Sequence, residues 1–87
     1  MARHEALLAR VLSGTADAGI GFNELRRLLD RLGFEERIRG GNHIFTKEGV
    51  EEILNLQPRG RNAKPYQVKQ VRAVIVKRRL AGGADGQ

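Results

Sequence analysis

Arg37-Ile38-Arg39-Gly40-Gly41-Asn42-His43-Ile44-Phe45 is the stretch whose reading decides the fold. Its glycine pair separates two short runs, residues 34–39 and 42–47, and a junction of this kind predicts a tight antiparallel hairpin. Glu48-Gly49 supplies the next turn, and residues 51–57 read as a third strand with Leu54 and Leu56 on one face. Pro58 ends that strand. Three short runs joined by glycine turns predict an antiparallel meander.

Working outward, Leu25, Leu28, Leu29 and Leu32 hold the i, i+3, i+4, i+7 spacing of an amphipathic helix. Asn23 is the expected N-cap, Glu24 suits the positive end of the dipole, and Gly33 with Phe34 forms the stop. A further helix is expected over residues 3–13, with apolar positions 7, 8, 11 and 12 and a stop at Gly14. Residues 15–21 read as a loop. Within it, Gly19-Ile20-Gly21 is only a fragment of a dinucleotide-binding pattern.

Beyond the third strand, residues 59–64 read as a basic loop. Pro65 fits the first position of a last helix, with Val68, Val71, Val74 and Ile75 buried and Lys69, Arg72 and Lys77-Arg78-Arg79 largely outside. Its β-branched content opposes helix, and the cations of its last turn favour it. Residues 82–87 read as a frayed tail. The expected order is α-α-β-β-β-α: an α+β fold of one domain over residues 1–81, with helices on one sheet face and the other face free.

A chain of 87 residues with 40% apolar and 30% charged side chains suits one globular core. It lacks both an apolar run of the ~20 residues a bilayer span needs and a signal-peptide core, so a cytoplasmic protein with no membrane role is expected. With no cysteine there is no disulfide framework and no thiolate metal site. The net charge of +6 is unevenly spread. Residues 1–36 hold five basic and six acidic side chains, whereas residues 37–87 hold eleven and four. Arg59, Arg61, Lys64, Lys69, Arg72, Lys77, Arg78 and Arg79 follow one another with no intervening acid. A polyanion, nucleic acid or an acidic protein, is the partner such a block favours.

Few residues offer chemistry. His4 and His43 are the only histidines and have no metal-binding spacing, so neither metal nor cofactor is expected. Glu35-Glu36 and Glu51-Glu52 would point alternately to opposite sheet faces and read as surface charge. What remains is the glycine turn and Asn42-His43. Metal-free RNA cleavage needs a base for the 2′-hydroxyl and an acid for the leaving oxygen, and histidine serves both near neutral pH. Gly40 and Gly41 would let a phosphate approach backbone N–H groups, with cations nearby to stabilise its charge. The bland alternative is a plain hairpin turn followed by an ordinary strand histidine.

Leu32-Gly33-Phe34, Arg39-Gly40-Gly41-Asn42-His43-Ile44-Phe45, the third strand ending at Pro58, and Pro65-Tyr66-Gln67-Val68-Lys69-Gln70-Val71-Arg72 together resemble the HicA family. These are mRNA interferases of toxin–antitoxin modules. The likeness covers about residues 21–80, with the helix over 3–13 as an N-terminal addition. It implies a fold like the double-stranded-RNA-binding domain, metal-independent endoribonuclease activity on mRNA, and a HicB-type antitoxin as partner. The family motif runs glycine, serine or glycine, catalytic histidine, two residues, then an aromatic. Anchored on Gly40, Gly41 and Phe45, it puts Asn42 at the catalytic position and His43 one place beyond. Asparagine hydrogen-bonds but shuttles no proton at neutral pH. Either this is an inactive variant or a divergent one in which His43 or another group has taken over. Charge, rather than the motif, makes Arg37, Arg39, Arg59, Arg61, Lys64 and Lys69 the candidate RNA contacts. The rival classes are a non-catalytic RNA-binding module and a domain that docks an acidic protein.

Overall fold

A computed structural model describes residues 3–81; the expected tail at 82–87 lies outside them. Helix α1 spans Arg3–Ser13, α2 Phe22–Arg31 and α3 Pro65–Lys77. Strands β1 (Glu35–Arg39), β2 (Asn42–Lys47) and β3 (Val50–Leu56) form an antiparallel sheet in the order β1-β2-β3. The α-α-β-β-β-α order of an α+β protein is therefore present. No helix among the described residues is long and apolar enough to cross a membrane.

Three local expectations are corrected. Helix α2 begins one residue before Asn23, with Gly21 as N-cap. Gly21 has no side chain to cap with; instead its N–H donates to the Glu24 carboxylate at 3.2 Å, one half of a capping box. The loop before it contains a single 3-10 turn, Asp17–Gly19. The expected basic loop after Pro58 is a small hairpin, β4 (Pro58–Arg59) with β5 (Asn62–Ala63). It is held by neighbouring backbone: Phe22 N–H donates to Arg61 C=O and Ala63 N–H to Ile20 C=O, both at 2.9 Å. Two-residue strands carry no side-chain periodicity, so only these tertiary bonds define them.

Helix α2 stops as expected. Phe34 N–H bonds Leu29 C=O and Gly33 N–H bonds Asp30 C=O, the paired bonds of a Schellman motif, with Phe34 and Leu29 both buried. Helix α3 ends with the same bond pattern, Leu80 N–H to Ile75 C=O and Arg79 N–H to Val76 C=O, although Arg79 there adopts φ +55°.

The sheet contributes Phe45, Leu54 and Leu56 to the core, all from one face. Leu7, Val11, Leu25, Leu28, Leu29, Val68, Val71, Val74 and Ile75 from the helices cover them. The opposite face, including Arg37, Ile44, Thr46, Ile53 and Asn55, has no buried residue, and Ile53 is 66% exposed. Alternation along the strands thus divides the sheet into a packed face and an open one.

Candidate functional site

Asn42 and His43 are successive residues of β2, so their side chains leave the sheet on opposite faces. Asn42 lies on the open side, where its Oδ1 accepts a hydrogen bond from Gln57 Nε2. Gln57 Oε1 accepts in turn from Lys64 Nζ at 2.8 Å. Behind this relay stands Gln67, only 3% exposed. Its Oε1 accepts from Gln57 N–H at 3.0 Å and its Nε2 donates to Asn55 C=O at 3.2 Å. One buried amide therefore serves the outer edge of β3 as a further strand would, satisfying backbone groups that would otherwise be stranded.

His43 belongs to the packed side. Its Nδ1 lies 2.7 Å from Glu36 Oε2, and Phe22 meets the imidazole edge-on with ring centroids 4.8 Å apart. Arg26 completes the cluster: Nε donates to Glu36 Oε2 at 2.7 Å, Nη2 to Glu36 Oε1 at 3.2 Å and Nη1 to Asn23 Oδ1 at 3.1 Å. Burial opposes ionisation of Glu36, but the hydrogen bonds and charges of Arg26 and His43 outweigh it, so its pKa falls below the ordinary 4.5. An ionised carboxylate only accepts, so Nδ1 carries the hydrogen and Nε2 is the free ring nitrogen. His43 reaches the position of Asn42 only by abandoning Glu36 and Phe22.

The block of eight cations is less one-sided in space than in sequence. Arg72, expected outside, bonds Asp17 at 2.9 Å and Val11 C=O at 3.1 Å, tying α3 to the end of α1 and the 3-10 turn. Lys77 and Arg78 close on Glu52 at 3.1 and 2.9 Å. Arg78 foremost, then Lys77, lowers the Glu52 pKa to about 2. Glu36 and Glu52 therefore have specific partners beyond the plain surface charge expected of them, while their neighbours Glu35 and Glu51 are exposed.

Among the described residues, Arg37, Arg39, Arg59, Arg61, Lys64 and Lys69 are in no ion pair. Four of them belong to one end of the sheet: Arg39 pairs across the turn with Asn42, Lys64 joins Asn42 through Gln57, and on the following hairpin Arg59 precedes the β4–β5 turn while Arg61 lies within it, on the side of His43. Arg37 lies further along β1, and Lys69 on the exposed side of α3. Gly40 and Gly41 have open space where a Cβ would stand: beyond their own chain neighbours, no atom lies within 4 Å of it. The site thus unites Gly40, Gly41, Asn42, Arg39 and Lys64, and leaves His43, with Arg61, on the other side.

Sequence reasoning missed Phe22, Arg26, Gln57 and Gln67. Continuing the alternation one step past Leu56 puts Gln57 on the face of Asn42, a signal that was available. Nothing in the spacing announces that Arg26 and Glu36 meet. Neither family models, curated proteins nor solved structures contain a match to this chain.

Proposed function

We propose that this is an RNA-acting protein of the HicA toxin type, built on a double-stranded-RNA-binding-domain-like scaffold. Its endoribonuclease chemistry is impaired by the amide at position 42. The observation that supports this reading is the placement of Arg39 and Lys64, neither in an ion pair, beside Asn42 and the glycine turn, with Arg59 and Arg61 on the β4–β5 hairpin that follows β3. Phosphate oxygens would meet guanidinium and ammonium groups there, and the 2′-hydroxyl would lie near residue 42. In an active molecule a histidine at that position would take the 2′-hydroxyl proton. Asn42, hydrogen-bonded to Gln57, cannot.

Messenger RNA and a HicB-type antitoxin covering this end of the sheet are the proposed partners. The same amide supports a second reading, a module that binds RNA without cutting it. Asn42→His separates the two: RNA cleavage should rise by about 10²–10⁴ and persist in a metal chelator. An inert variant that still binds RNA would favour the binding module. RNA affinity that is flat in salt would remove both.

A further inference from the structure

A cleft of about 520 Å³ lies on the packed side of the same end of the molecule, lined by Phe22, Asn23, Arg26, His43, Pro58, Gly60 and Arg61. Its size falls within the range of small-ligand sites. Its walls come from the first turns of α2, the start of β2 and the β4–β5 hairpin. The latter is anchored there by the Phe22 N–H to Arg61 C=O bond.

The polar lining is specific in character. Glu36 neutralises Arg26 and orients His43, leaving Nε2 without a protein partner among the described residues. Arg61 is exposed, and its guanidinium meets no carboxylate. Asn23 adds an amide whose Oδ1 is already engaged by Arg26. No carboxylate lines the cleft, so it presents one uncompensated cation, a ring nitrogen and amide hydrogens beside apolar Phe22 and Pro58. An apolar residue at 43 would pack on Phe22 without the cost of desolvating a polar ring. Packing alone therefore does not account for the histidine.

We propose that this cleft binds a single ribonucleotide unit of single-stranded RNA. Arg61 holds its phosphate, and His43 Nε2 bonds a sugar hydroxyl or phosphate oxygen. The inference rests on the RNA-acting reading above and extends it: the chain wraps RNA around the sheet end, from the Asn42 face to the His43 face. Oxyanions are the class Arg61 selects, and the apolar walls favour a nucleotide over a bare ion.

The test is NMR titration of the full chain with uridine 5′-monophosphate, inorganic phosphate and a short oligouridylate. Uridine monophosphate should shift the Asn23 and Gly60 amides and the His43 ring signals. Arg61→Gln, which leaves the hairpin's backbone bonds intact, should weaken it about tenfold. Lys77→Gln, the same charge change at the far end of α3, should leave the affinity as it was. Cleft signals that do not move, or an affinity unchanged by Arg61→Gln, overturn the proposal. Inorganic phosphate binding as tightly as the nucleotide overturns the ribonucleotide assignment. Oligouridylate bound without any change in the cleft signals refutes the cleft alone. Nucleotide bound in the cleft while Asn42→His stays inert supports the cleft and refutes the ribonuclease.

Discussion

Two turns of this molecule have nearly the same sequence and different fates. Arg39-Gly40-Gly41-Asn42 joins β1 to β2, and Arg59-Gly60-Arg61-Asn62 joins β4 to β5. In each, arginine pairs with asparagine across a two-residue loop whose first member is a glycine at positive φ, +58° for Gly40 and +63° for Gly60. That is the φ pattern of a type II′ turn, whose twist suits a hairpin. The first turn closes strands of five and six residues; its glycines, like Gly60, have open space where a Cβ would stand. The second closes strands of two residues each and is held down by Ile20, an isolated bridge from Gly21 to Asn62, and Phe22. A turn tetrapeptide thus specifies that the chain reverses. What the reversed chain can do depends on what its neighbours leave exposed.

The strongest way to break this comparison is to put the same histidine into both turns. Asn42→His should raise RNA cleavage by about 10²–10⁴, measured on a labelled transcript, whereas Asn62→His should leave the basal rate unchanged. Equal gains at the two positions would deny any distinction between the turns.

Next in size is the amide that supports the first turn's partner strand. Gln67→Met removes the acceptor for Gln57 N–H and the donor for Asn55 C=O at a buried site. Urea denaturation should show a loss of about 1–3 kcal/mol. Exchange protection of the Gln57 amide should fall with it.

Gly40→Ala and Gly60→Ala should each cost about 1–2 kcal/mol, since an L residue in the left-handed region clashes with its own backbone. The consequences should nevertheless differ. Gly40→Ala acts on a long ladder and should appear only in global stability, while Gly60→Ala should also speed hydrogen exchange at the Ala63 amide, whose acceptor is Ile20. Matching exchange profiles would show that the second hairpin is no more local than the first.

The smallest effect concerns acid. The folded pKa of Glu36 lies below its unfolded value near 4.5, as does that of Glu52 at about 2. Depressed carboxylates add stability above the unfolded value and lose it as the pH falls through the folded one. The melting temperature should therefore decline below pH 4.5. Glu36→Gln should make that decline shallower and release the His43 ring beside the second turn, a change readable in its NMR signals. An unchanged acid limb would show that the Arg26–Glu36–His43 cluster carries no linked stability.

The legible parts of the chain were those where a local pattern repeats. Leu25, Leu28 and Leu29 announced α2, and Gly33-Phe34 its end. The glycine pair and the leucines at 54 and 56 announced the sheet. Where one or two residues have to carry the information, reading failed. The N-cap fell at Gly21 rather than Asn23 because a backbone N–H found Glu24. The β4–β5 hairpin passed as a loop although it repeats the arginine–glycine–X–asparagine turn of residues 39–42, because its strands are too short to alternate.

The sequence by itself determined the helices, the meander and the excess of positive charge, since hydrophobic period and turn chemistry act over a few residues. Only the tertiary structure decided which charges remain available. Asp17 and Glu52, distant in sequence, engage Arg72, Lys77 and Arg78 but leave Arg39, Arg59, Arg61 and Lys64 at one end of the sheet. It also decided that His43 belongs with Glu36 and Arg26 rather than with Asn42. Electrostatic partnership depends on distance in space, which no local spacing encodes.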